Sequence, residues 1–426
     1  MKIAIIGSGI SGLVSALLLQ SKHDVTVYEK NEALGGHANT VDINLNNQNN
    51  SVETGFIVLN DHNYPNFSSL LKYLNIETNK SSMSFSVSVD NGNFEYSSSY
   101  LGLIAQPKNL VDPLYWSMLR DVSYFYRNAI KDAEKGPEYE TLGNFLIRCK
   151  YSKTFIEYHL LPMTASIWSC PKNLIINFPV KSLLSFFKNH NLLNLYDRPI
   201  WKTINGGSRS YIKAIVSRLK GPIQKKTKVN LISKGKNCIY VHTTKSKEKF
   251  DSIVLASHAD QSFKIIDNSF KKQRNILSNF SFQNNTSILH TDINFMPKRK
   301  SVWSSWNYIS NSDKSGNLSV TYWMNKLQKL NSPQSIFLSL NPKRLPNPDL
   351  ILGQYSYSHP VFNQAAIEAQ YKLERVQGED NIWFCGAWTN YGFHEDGMVS
   401  ALNIAEKFNI DIPWSKNQKE ILHAAQ

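Results

Sequence analysis

Apolar residues along this chain switch between two periods, and the first switch comes at once. Lys2–Ile6 is a continuous apolar, β-branched run, after which Leu13, Val14, Leu17 and Leu18 recur at helical spacing. Asp24–Tyr28 is a second short apolar run, so the opening predicts strand, helix, strand. Ala38–Leu45 and Ser51–Leu59 read as strands around the polar run Asn46-Asn47-Gln48-Asn49-Asn50, which predicts an exposed turn. Pro65–Leu74 reads as a helix, and Phe85–Val89 with Asn93–Tyr96 as a hairpin turning at Asn91-Gly92. From Pro107 to Asn194 the pattern is helical and rich in aromatics. Its Leu114–Tyr126 stretch is apolar nearly all round, the pattern of a buried or lipid-facing helix. A helix at Tyr211–Leu219 and strands at Val229–Ile232, Cys238–Thr243 and Ser252–Leu255 follow. A second excursion, Phe263 to Tyr371, carries the strand-like stretches Ser287–Ile293 and Leu318–Trp323. The chain closes with a strand at Ile382–Gly386, a helix at Gly397–Phe408 and a loosely held tail, Lys416–Gln426.

The break after the first strand carries Gly7, Gly9 and Gly12. The first glycine permits a tight turn, the second lets backbone approach a pyrophosphate, and the third lets the helix pack on the sheet. Glu29 ends the second strand, where a carboxylate holds ribose hydroxyls. Strand, glycine turn, helix and acidic strand tip together point to a dinucleotide site. The predicted fold is α/β, a Rossmann-like cofactor domain with an inserted α+β substrate domain. At 426 residues two such units are expected. The boundaries are 1–60, 200–262 and 375–412 for a discontinuous cofactor domain, 61–199 and 263–374 for the substrate domain, and 413–426 for the tail.

Charge and cysteines narrow the class. The formal net charge is +14, which implies an anionic partner: acidic phospholipid, a negative substrate or nucleic acid. The basic residues are dispersed, with short clusters such as Lys298-Arg299-Lys300 and Lys343-Arg344. Without finger spacing, an aromatic RNA-binding pattern or a long basic helix, no nucleic-acid partner is expected. The four cysteines are far apart and form no C-x-x-C pair, so neither a disulfide framework nor a metal site is predicted. No apolar run is long enough to span a bilayer and the chain enters a strand directly, so the expected location is cytoplasmic. Nucleophile-elbow, phosphate-loop and zinc-helix motifs of hydrolases and kinases are missing from the sequence.

Motifs at both ends resemble the flavin-dependent amine oxidase and phytoene desaturase superfamily. They are Gly7–Gly12 with Glu29, the pair Gly35-Gly36, and Gly386 through Ala401. Within it, the chain is most similar to a bacterial group described as predicted NAD/FAD-binding oxidoreductases. That likeness runs through Glu53-Thr54-Gly55-Phe56-Ile57-Val58, Tyr64-Pro65-Asn66, Ile167-Trp168-Ser169, Phe186–His190, Gly206–Tyr211, Leu289–Asp292, Tyr322–Asn325 and Gly392–Gly397. The resemblance implies FAD as cofactor, contacted by Gly7, Gly9, Ile10, Ser11, Gly12, Glu29, Lys30, Gly35, Gly36, His37, Thr54, Gly55, Phe56, Ile57, Val229, Ala256, Gly386, Ala387, Gly397, Met398 and Ala401. Two positions depart from the wider superfamily. His37 stands where an Arg commonly follows the paired glycines, and Ala387 where an acidic residue commonly meets the ribityl chain.

Members of that group are often encoded beside methyltransferases similar to cyclopropane-fatty-acyl-phospholipid synthase, and some resemble acyl-chain desaturases. The resemblance therefore implies a fatty-acyl phospholipid substrate, a peripheral anionic membrane surface on the inner face of the cell membrane, and a methyltransferase partner. Hydride loss from an unactivated methylene leaves a cation that nothing stabilises, so an allylic position is the expected target. Candidate bases are His394 and Glu395 in the loop expected near the flavin, and His62 and Tyr64 on its other side. Trp388 and Tyr391 are candidates for one wall of the site, and His190 for a helix cap. An amine or polyene oxidase, a double-bond isomerase, and a noncatalytic flavoprotein serving a methyltransferase stay open as alternatives.

Overall fold

The computed structural model describes residues 1–194, 199–310 and 319–415, so the expected tail at Lys416–Gln426 lies outside the described residues. Strand β1 (Lys2–Ile6), helix α1 (Ile10–Leu19) and strand β2 (Asp24–Tyr28) form the expected unit. β1 is the middle strand of a five-stranded parallel sheet in the order 382–384, 252–255, β1, β2, 223–224. A central parallel strand is covered on both faces, which is why four of its five residues are buried in an unbroken apolar run. All ten residues of α1 are buried, since the C-terminal helix His394–Lys407 packs along it.

β3 (Thr40–Leu45) and β4 (Gln48–Glu53) form a tighter hairpin than the asparagine run predicts. Only Asn46 and Asn47 turn, both with positive φ (51° and 61°), and Leu45 pairs directly with Gln48. Two left-handed residues make the turn whose twist suits a hairpin, and asparagine tolerates that conformation. Gln48 to Asn50 are therefore strand, and Asn50 is buried. The second strand stops at Glu53 rather than Leu59. At Gly55 the backbone comes so close to the His37 carbonyl that an added Cβ would lie 2.0 Å from that oxygen.

A seven-stranded sheet follows the order 351–361, 281–290, 337–340, 320–323, 306–310, 85–89, 94–97. The parallel pairing of 85–89 with 306–310 joins the two excursions of the chain into one sheet. Helix α2 (Pro65–Tyr73) packs on the C-terminal helix His394–Lys407, whereas α3 (Tyr100–Leu103), α4 (Pro107–Leu110), α5 (Pro113–Glu134) and further helices to Asn189 lie on this sheet's side. The long helix α5 is two-faced, not apolar all round. Tyr115, Met118 and Phe125 are buried, whereas Leu114, Trp116 and Tyr124 are exposed. The strand expected at Ser287–Ile293 runs instead from Ser281 to His290, and the one at Leu318–Trp323 is described from Val320. Among the described residues no helix is long and apolar enough to cross a membrane.

Candidate functional site

The glycine turn, the paired glycines and the tip of β2 converge. An added Cβ on Gly12 would sit 2.0 Å from the Gly7 carbonyl oxygen, so only glycine lets α1 approach its own turn this closely. Gly9 is the opposite case, because nothing lies within 4 Å of where its Cβ would be. It opens α1 without a side-chain cap and no acidic residue stands in the first turn, leaving the helix amides free to face an anion. Gly35 donates its N–H to Ser8 O at 2.9 Å, and Gly36 lies over Gly9. Glu29, buried at the end of β2, accepts from Ser8 N (3.1 Å), Ser8 Oγ (2.7 Å) and Asn31 N (2.9 Å). Thr227 N donates to Glu29 O at 2.8 Å, which brings the strand opened by Val229 to the same tip. Ala256 donates to Ile6 O and its own oxygen crowds Gly7. Lys30 is exposed just beyond.

At the chain's far end Gly386 donates its N–H to Ser400 Oγ at 2.9 Å. Gly397 seats the C-terminal helix on α1, where a Cβ would meet Ile10 Cγ2 at 2.9 Å and Ser11 Oγ at 3.0 Å. Met398 and Ala401 are fully buried beneath, and Ala387 accepts the Gly392 N–H at 3.0 Å. This helix starts at His394, earlier than Gly397, so His394 and Glu395 stand on its first turn and not in the preceding loop. Trp388 is core, not wall. It is 2% exposed, packs edge-on against Phe280 and donates to Ser257 O.

His394 is half-buried between rings. It stacks on Phe56 with centroids 3.9 Å apart, meets Phe67 edge-on, and contacts Tyr211 OH through Nε2 at 3.0 Å. Burial pushes its imidazole down to about 3, with the charge of nearby His37 adding to the effect. The ring is neutral at pH 7, and with Nε2 engaged Nδ1 is the atom left to exchange a proton. The neighbouring carboxylates cap helices. Glu395 accepts from Asn66 N (2.9 Å), Asn66 Nδ2 (2.8 Å) and Phe67 N (3.0 Å), pinning the start of α2. Asp396 Oδ2 accepts from Phe393 N at 2.8 Å. Burial nevertheless pushes both up to about 7. Tyr64 is buried near them at the foot of α2, its hydroxyl pKa raised by burial, and packs against Phe56. His62 lies exposed on the loop before α2, outside this cluster.

Phe393, the residue before His394, belongs to a second aromatic cluster. Phe393 stacks on Phe186 (4.8 Å), Phe186 on His190 (3.7 Å), and Trp168 leans on Phe186 (4.6 Å). His190 does cap its helix, with Nδ1 3.0 Å from Phe186 O. On the opposite side His37 gathers His258, His359 and Tyr357, with ring centroids 5.3 to 5.4 Å from its own. Burial pushes His258 and His359 down to about 3 and lowers His37, so the trio is neutral. Thr54 Oγ1 and Asn39 Nδ2 hold the Tyr357 hydroxyl at 2.7 and 3.1 Å, and Ile57 is tied back through its carbonyl to Thr203.

The sequence alone gave no role to His258, His359, Tyr357 or Tyr211. His258 stands just past the end of the strand Ser252–Leu255, and ligands bind at the carboxyl ends of parallel strands, so position offered a signal. His359 and Tyr357 sit on a strand of the other sheet, and only pairing in space brings them to His37.

The fold and these contacts define a flavoprotein of the two-sheet type. Residues 10–330 match the family of flavin-containing amine oxidoreductases, and the chain belongs to that family. Three solved structures share the fold across nearly the whole chain. A conjugated-linoleic-acid-producing fatty acid isomerase from P. acnes is 15% identical, covers 95% of this chain and 98% of its own, and has a TM-score of 0.68. Putrescine oxidase bound to putrescine is 12% identical, with 96% and 99% covered and a TM-score of 0.66. Cyclohexylamine oxidase from Brevibacterium oxydans is 12% identical, with 96% and 99% covered and a TM-score of 0.63. No curated protein sequence matches the chain.

FAD is the cofactor, and the residues fit it. The open face of Gly9, the uncapped amides of α1 and the Glu29 carboxylate suit a pyrophosphate and a ribose. The buried Nδ1 of His258, which has no partner, marks a polar contact the protein alone does not satisfy.

Proposed function

We propose that this oxidoreductase acts on the acyl chain of a membrane phospholipid, taking a hydride from an allylic carbon and a proton from a carbon beside the double bond to leave a conjugated diene. The observation that carries the reading is a neutral His394 stacked on Phe56, with Phe393 next to it in the chain leading into a second ring cluster of Phe186 and Trp168. Phe56 and the rings around His394 offer apolar contact to a chain and keep water from the reacting carbons. FAD, when bound, accepts the hydride and its two electrons. The chain's own residues do the rest. Phe56 and Phe67 hold the imidazole plane, Tyr211 fixes Nε2, and Nδ1 takes the proton. Glu395 has both oxygens engaged by α2 and serves as an anchor for the site.

A second reading is favoured by one comparison. The likeness to a fatty acid isomerase supports a reaction on the same acyl class in which the hydride returns to the chain and the double bond moves. The test is anaerobic mixing of the FAD-loaded protein with phospholipids bearing one unsaturated chain, followed by flavin absorbance and lipid mass analysis. Bleaching with a conjugated diene two hydrogens lighter supports desaturation. An isomer of unchanged mass with the flavin still oxidised at the end supports isomerisation. Bleaching by amines and none by lipid overturns both.

A further inference from the structure

Between Tyr100 and Trp116 the usual order of burial is inverted. The polar Gln106 and Asn109 are 1% and 3% exposed, whereas Tyr100, Leu101, Val111, Leu114 and Trp116 are 86%, 72%, 83%, 61% and 55% exposed. The inversion is held by hydrogen bonds. Gln106 accepts from Glu95 N (2.8 Å) and donates to Asn93 O (2.7 Å), and Asn109 Nδ2 donates to Glu95 O (3.1 Å). With the polar side chains anchored on the strand Phe94–Ser97, the apolar ones are turned outward. Tyr115 OH donates to Leu103 O (2.9 Å) and Trp116 Nε1 to Leu110 O (2.8 Å), which joins α3, α4 and the start of α5 into one face. A shallow, open depression lined by Val111, Pro113, Trp116, Ser117 and Arg120 lies at its α5 end.

The rim of this face is basic. Lys108 is exposed on α4, and the exposed Lys298 and Lys300 belong to the segment that packs against α3. An apolar centre with Trp and Tyr, bordered by lysines, is the composition of a surface that enters the headgroup layer. We propose that this face seats the protein on an anionic phospholipid bilayer, with Leu101, Val111 and Leu114 at the acyl boundary and the lysines on lipid phosphates. A bilayer supplies apolar depth and negative charge together. A second copy of this chain would set lysine rim against lysine rim on molecules of net charge +14. The proposal stands on the surface and does not depend on the substrate named above.

The test is sedimentation of the FAD-loaded full chain with vesicles of saturated-chain phosphatidylcholine, with and without phosphatidylglycerol. These lipids carry no double bond, so docking is read apart from the reaction. The wild type is expected to pellet at least tenfold more with the anionic vesicles, and less as salt rises. Val111→Asp/Leu114→Asp is expected to lose that binding at least tenfold while keeping its flavin absorbance and melting temperature, since both positions face solvent. Lys298→Ser/Lys300→Ser, which leaves the apolar face intact, is expected to lose the preference for anionic lipid. Equal pelleting of wild type and Val111→Asp/Leu114→Asp overturns the proposal. So does no binding to anionic vesicles, or a wild-type dimer in solution that Val111→Asp/Leu114→Asp converts to monomer.

Discussion

Replacing Glu395 with alanine leaves three donors at the start of α2, the Asn66 and Phe67 amides and Asn66 Nδ2, without an acceptor. Asn66 is 1% exposed and Phe67 is fully buried, so water cannot take the carboxylate's place unless the α2 interface opens. Each orphaned buried donor costs about 1–3 kcal/mol. Part of the sum is offset because the carboxylate's own desolvation is relieved, which leaves a net loss of about 3 kcal/mol. For 426 residues, unfolding entropy near 2.1 cal/mol/K per residue gives about 0.9 kcal/mol/K, so a cooperative transition drops by about 3 °C. Glu395→Gln keeps one acceptor oxygen and turns an NH₂ toward one of the amides, and should fall between the two. Calorimetry of the FAD-loaded variants measures the drop. Glu395→Ala melting within about 1 °C of wild type refutes the capping argument. A loss of about 100-fold or more in flavin reduction by Glu395→Gln, with its melting temperature unchanged, would instead make Glu395 the base.

Four further outcomes follow from the same contacts. Gly12→Ala places a methyl 2.0 Å from Gly7 O; the chain should purify without flavin colour, and wild-type FAD retention would contradict the helix-on-turn packing. Glu29→Gln weakens the hold on Ser8 and Asn31 and should raise the Kd for FAD by roughly 10-fold or more, read by flavin fluorescence titration, because hydrogen bonds to a charged group are worth about 1.5–3 kcal/mol. His394 is pushed down to about 3, so the rate of flavin reduction should lack a limb near the ordinary histidine value; such a limb in stopped-flow pH profiles would show a solvated imidazole. Stability should fall as the medium is acidified below the ordinary histidine value. His190, His258, His290, His359 and His394 are held neutral with values of about 3 or 4, so unfolding takes up protons there. Glu53, Glu395 and Asp396 are raised and oppose this, since the folded state keeps their protons until the pH rises past them. Five groups against three leave the histidines dominant, at up to ~1.4 kcal/mol per pH unit for each net proton; melting temperatures that rise on acidification would reverse the sign.

The first βαβ unit was legible because its signals are local. An apolar run, three glycines and Glu29 lie within a few turns of one another, and each is dictated by backbone sterics next to it. The hairpin at Phe85–Val89 and Phe94–Ser97 was legible for the same reason. The turn at Asn46-Asn47 was read too wide because composition marks a polar stretch, whereas the pairing of Leu45 with Gln48 is fixed by the partner strand. Helix α5 was under-determined in another way. Its pattern left buried and lipid-facing open, because burial depends on what packs against each face; Tyr115, Met118 and Phe125 are buried, whereas Leu114 and Trp116 are more than half exposed.

What the sequence determined by itself was the cofactor end of the molecule, where glycine spacing and a strand-tip carboxylate act over neighbouring residues. Tertiary structure alone decided which distant side chains meet. It joined Glu395 to Asn66 across 329 positions and His394 to Tyr211 across 183. It brought His258 and His359 to His37, and turned Leu101 and Val111 outward by burying Gln106 and Asn109. Those decisions rest on hydrogen bonds and packing between segments whose approach is set by the two sheets, and no local pattern encodes a contact whose partner lies on another strand.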